Sequence, residues 1–89
     1  METLFPLGQC VITANAGNTL HPKDVKQSLD RHATGDWGEL CPQDWAENQR
    51  GLAEGHRLFS RYRDRSDKLF YIITEHDRSV TTVLLPEDY

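Results

Sequence analysis

The alternation of apolar and polar residues changes period twice along this chain. Residues 7–14, "LGQCVITA", set the β-branched Val11 and Ile12 between Gly8 and a turn-rich "NAGN", and predict a first strand. The period then lengthens. In "HPKDVKQSLDRHA" (21–33), Val25, Leu29, His32 and Ala33 recur at helical spacing. Pro22 fits the first helical position, Asp24 lies in the first turn, and Gly35 follows where a left-handed residue ends a helix. "CPQDWAENQRGLAEG" (41–55) repeats the punctuation with Pro42, Asp44 and Gly55. Its expected buried face is Trp45, Ala46, Gln49, Leu52 and Ala53. Gly51 inside that helix costs about 1 kcal/mol against Ala. A close approach by a strand or by the first helix would explain it.

From residue 56 the period shortens to two. "HRLFSRYR" (56–63) alternates, "DRSD" (64–67) makes a turn, and "KLFYIIT" (68–74) carries large side chains on both faces, as a central strand does. "EHDRS" (75–79) turns again, and "VTTVLL" (80–85) is closed by Pro86. Three strands joined by tight turns form an antiparallel meander. The order β-α-α-β-β-β predicts an α+β fold over residues 1–89, a single domain. Two helices cover one face of a mainly antiparallel four-stranded sheet. The first strand is free to join either edge, and parallel pairing with the last strand is one option. Between the helices, "GDWGEL" (35–40) places Trp37 and Leu40 as a plug over the end of the core. The competing reading makes Trp37 an exposed anchor for a partner.

Composition narrows the picture. Only 37% of residues are apolar, so the core is modest and holds no large cavity. The net charge of −4 disfavours generic nucleic-acid binding. No apolar run is long enough to span a membrane. The N-terminus carries Glu2 and no basic leader, so it does not read as a secretion signal, and a cytoplasmic location is expected. Cys10 and Cys41 then read as reduced thiols, small and buried.

Candidate chemistry is sparse. His32 lies on an apolar helix face and reads as a core residue. His21 reads as helix-entry structure, and His56 as a cation at a helix C-terminus. No ligand spacing suggests a metal, no motif suggests a cofactor, and no catalytic residue is assigned. The acid-rich turn around His76 reads as a solvated hairpin. Arg57, Arg61, Arg63, Arg65 and Lys68 cluster on one stretch, interleaved with Phe59 and Tyr62. Such a face can hold single-stranded nucleic acid by charge and stacking, or it can simply pair with acids such as Glu47 and Glu54.

The segments "GDWGEL" and "DRSVTTVLLPEDY", with "FPLGQCVIT" and "AENQRGL", resemble a family of small bacterial proteins found on plasmids and other mobile DNA. The resemblance implies a bacterial host and a mobile-element setting, and brings no catalytic residue with it. The leading expectation is a small non-catalytic interaction module that binds another protein or itself. Its contact residues are taken as Trp37, Arg57, Arg61, Tyr62 and Arg63. A second reading is nucleic-acid binding through the arginine-rich strand. A third, from element order alone, is similarity to RelE-like ribonucleases, which requires Arg61, His76 and Arg78 to converge.

Overall fold

The computed structural model describes residues 3–89; Glu2, on which the N-terminal reading partly rests, lies outside them. The elements are β1 (Gln9–Ile12), α1 (Ala14–Thr19), α2 (Pro22–Ala33), α3 (Pro42–Glu54), β2 (Leu58–Arg63), β3 (Leu69–Thr74) and β4 (Val80–Leu84). A 3-10 turn, Pro86–Asp88, ends the chain. The fold is α+β, as expected. The sheet order is β1-β4-β3-β2, so the two apolar C-terminal strands are central. β1 pairs in parallel with β4, and the other two pairings are antiparallel.

Helix boundaries follow the expected punctuation. His21 caps α2 by accepting the Lys23 N–H, and Gly55 closes α3 in a left-handed conformation. The "NAGN" segment corrects the expectation of a turn: it lies within α1. Thr13 supplies the cap, its hydroxyl accepting the Ala16 N–H, and fully buried Ala16 packs into the core. A short polar stretch with glycine has poor helix propensity, so its cap and its burial hold it helical.

The core has two parts on one face of the sheet. Ala16 and Leu20 meet Tyr62, Phe70, Ile72, Val83 and Leu85, with Val25 and Leu29 of α2 packed alongside. Phe5, Trp37 and Leu58 form the second part, with Leu7, Leu40, Trp45 and Leu52. The α3 face differs from expectation. Ala46, Gln49 and Ala53 are exposed, and Asn48 and Gly51 are the buried residues. A side chain at Gly51 would stand 3.1 Å from Leu58 Cδ2 and 3.3 Å from the Arg57 carbonyl, which is the close approach its sequence position implied.

Candidate functional site

The two edges of the sheet are finished differently. In β2 the outward-facing backbone groups at Phe59 and Arg61 are all taken. The Asn48 carboxamide accepts the Phe59 N–H at 3.0 Å and donates to the Phe59 carbonyl at 2.6 Å, as a neighbouring strand would. The Arg61 N–H donates to the Trp37 carbonyl at 3.1 Å, and the Glu39 N–H donates to the Arg61 carbonyl at 2.7 Å. Gly38 makes this approach feasible. It sits at φ 76°, and a Cβ there would collide with the Arg61 carbonyl oxygen. The "GDWGEL" loop therefore has a second task besides burying an indole. It acts as a one-bridge extra strand along β2.

At the other edge nothing comparable is found among the described residues. Gln9 donates its N–H to Ser79 and Thr13 to Val83, so the odd-numbered residues of β1 face β4. The alternation of a ladder then turns the N–H and C=O groups of Cys10 and Ile12 outward. All four β1 residues are exposed, with Val11 at 38% and Ile12 at 45%. The usual protections of an edge strand are charge, proline, a bulge or a cover. β1 has no charged residue and no proline. Val11 pairs with Thr82 and projects from the face opposite the helices, while Cys10 and Ile12 pair with Thr81 and Val83 on the helix side.

β1 is held in place from within. Gly8, at φ 66°, passes so close to the β3–β4 turn that a Cβ would strike the Arg78 and Ser79 carbonyl oxygens. Next to it begins a buried chain of hydrogen bonds. The Thr81 hydroxyl donates to the Leu7 carbonyl at 2.6 Å. Its proton being used, Thr81 accepts from Thr74 at 2.7 Å, and Thr74 in turn accepts from His32 Nε2 at 2.8 Å. His32 Nδ1 is left to accept from Ser60. His32, Ser60, Thr74 and Thr81 are each 0% exposed. The chain fixes one imidazole tautomer and joins α2 to three strands and the entry of β1. Burial, with the nearby Arg78 charge second, pushes the His32 pKa down to about 3, so the ring is neutral. At the far end of β1, Asp88 accepts from the Thr13 hydroxyl at 2.6 Å and from the Asn15 amide at 3.0 Å, tying the C-terminus to the start of α1.

The residues expected to form a contact surface separate. Trp37 is fully buried, stacked 6.2 Å from Phe5, and serves as the plug; its indole has no surface to offer a partner. Tyr62 is also buried, donating its hydroxyl to the Asp36 carbonyl at 2.6 Å. Both positions are corrected from contact residues to core residues. A small core recruits its largest aromatic rings. Arg57 faces Glu75 at 3.3 Å, Arg63 faces Glu39 at 3.0 Å, and Arg65 faces Asp24 at 3.0 Å. These acids lie on other elements, which the sequence order did not reveal. Arg61 is half-buried and its Nε has no partner among the described residues. Arg78, in the β3–β4 turn, donates to the carbonyls of Gly51, His56 and Glu75. Its guanidinium is thus a tie between that turn and the end of α3. Cys10 and Cys41 are unbridged and, against expectation, exposed.

A shallow groove of about 350 Å³ lies between α3 and the open sheet face, lined in part by Asp44, His56, Phe59 and Tyr89. Its charges are mixed, with Asp44 and Glu47 on the same lining as His56 and Arg57. No group of His, Cys, Asp and Glu suited to a metal ion occurs among the described residues. No described helix is long and apolar enough to cross a membrane. Comparison with protein-family models, with curated proteins and with solved structures finds no match to this chain.

Proposed function

We propose that this protein is an interaction module that takes up an extended polypeptide segment along β1. What supports the reading is the contrast between the two sheet edges. A fold that closes Phe59 and Arg61 of β2 with a side-chain mimic and a loop leaves the Cys10 and Ile12 backbone groups without a partner among the described residues. Those groups recognise an extended chain, because only a strand presents donors and acceptors at matching spacing. Val11 and Ile12 add apolar contacts on either face of the incoming strand. The proposal includes an accessory role on mobile DNA, which is what the resemblance of "GDWGEL" and "DRSVTTVLLPEDY" implies.

A random linear-peptide library panned against the full chain tests this. Recovered peptides should be rich in β-branched residues. On binding, the Cys10 and Ile12 amides should shift in nuclear magnetic resonance spectra and gain protection from exchange. Peptides that bind the groove by α3 and leave the β1 amides unchanged would contradict the proposal.

A further inference from the structure

The partner that this edge fits best is a second copy of the same chain. We infer that two copies pair β1 with β1′ antiparallel, about a two-fold axis through Val11. The inference rests on the edge-binding reading and makes it specific.

Three observations lead there. The first is register. Upstream, Gly8 is locked at φ 66° against the β3–β4 turn, and downstream Thr13 is the cap of α1, so among the described residues the outward groups of β1 are those of Cys10 and Ile12. A two-fold register that uses both residues of both copies sets Cys10 opposite Ile12′. Each such pair exchanges two backbone hydrogen bonds, and Val11 faces Val11′ at the non-hydrogen-bonded position between them. Of the two neighbouring two-fold registers, Cys10 opposite Cys10′ would bring Ile12 against the kinked Gly8′, and Ile12 opposite Ile12′ would bring Cys10 against Ala14′, already in α1.

The second observation is charge. In a chain with 27% charged residues, none occurs between Glu2 and Lys23. A two-fold axis places each side chain near it beside its own copy, so any charge there repels itself. A neutral strip suits self-pairing. A different partner would gain its specificity from complementary charges, which this edge does not carry.

The third is closure. Pairing at β1 joins two four-stranded sheets into one of eight strands, ordered β2-β3-β4-β1-β1′-β4′-β3′-β2′. Both outer margins are then β2, whose outward groups at Phe59 and Arg61 are already taken by Asn48 and the residue 37–39 loop. Assembly stops at two. The contact is small, in the class below about 1,200 Å² that gives reversible association. The net charge of −4 on each copy opposes it at long range, so moderate salt strengthens it.

The test uses the full chain with Val11 replaced. In a Cys10→Ser, Cys41→Ser background, Val11→Cys should form a disulfide-linked dimer under mild oxidation. Cα atoms at a non-hydrogen-bonded pair lie about 4.5 Å apart, within disulfide range. Cys10 of the natural chain is offset from Cys10′ by two residues on each strand and should not cross-link. Val11→Lys and Val11→Glu should each sediment as monomers with unchanged far-ultraviolet circular dichroism, since Val11 is on the surface. Mixing them at low salt should restore the dimer. Cross-linking through Cys10 but not through Val11→Cys would overturn the register. A natural chain that stays monomeric at millimolar concentration would overturn the pairing. If library peptides still protect the β1 amides of that monomer, edge binding stands and only the choice of partner is wrong.

Discussion

At the scale of single residues, His32 decides most. Its position on the apolar face of a helix was readable in the sequence, and so was its place in the core. The partners were not, because Ser60, Thr74 and Thr81 come from three strands that only tertiary pairing aligns. The ring is neutral in the folded chain, with a pKa of about 3 against an ordinary 6.5. The unfolded chain therefore takes up a proton first as pH falls, and protonation favours unfolding. The His32 contribution is fully present above pH 6.5 and declines from there toward pH 3. The slope approaches about 1.4 kcal/mol per pH unit. Asp24, held near 2 chiefly by its hydrogen bonds from Arg65, and Asp36, held low by Arg31, lose their contributions only below the ordinary carboxylate value of 3.8. Urea unfolding at pH 7.5, 6.0 and 5.0 should show stability falling across an interval where these carboxylates stay ionised. A flat profile would contradict a buried neutral imidazole. Trp37 teaches a related lesson. Glycines on either side signal a sharp loop but not which way its side chains point, and here Gly38 turns the indole inward while the backbone runs along β2.

At the scale of elements, the long regular segments were legible because period and punctuation agreed. Pro22, Gly35, Pro42 and Gly55 bound the two longer helices, and the two tight turns bound β3. α1 was not legible, since its sequence reads as a turn and the helix is held by the Thr13 cap and by burial of Ala16. The α3 face was misread for a chemical reason. Apolar periodicity favoured Ala46 and Ala53, whereas the buried position is the polar Asn48, occupied because its carboxamide matches the free backbone of Phe59. Asn48→Ala should leave both Phe59 groups unpaired and cost about 1–3 kcal/mol. It should also reopen the β2 edge. Sedimentation should then detect species larger than a dimer, whereas Gln49→Ala, on the exposed side of α3, should change neither stability nor size. Equal behaviour of the two variants would show that Asn48 does not seal that edge.

At the scale of the whole molecule, the sheet is asymmetric by construction. One margin carries a side-chain mimic, a bridging loop and paired arginines, and the other a short neutral strand with exposed apolar residues. The arginine cluster drew attention in the sequence because charge is conspicuous there. Folding places acids from distant positions beside it, at Glu39, Glu75 and Asp24. The bare edge is inconspicuous in sequence, being marked by nothing except the absence of charge. Amide hydrogen exchange, followed by residue and by protein concentration, tests the contrast most directly. In dilute solution the Phe59 and Arg61 amides should be protected and those of Cys10 and Ile12 should exchange freely. Raising the concentration should slow exchange at Cys10 and Ile12 alone. Protection of those two amides in the dilute monomer, or exchange that ignores concentration at both, would contradict the account of β1 as an open edge that closes on its own copy.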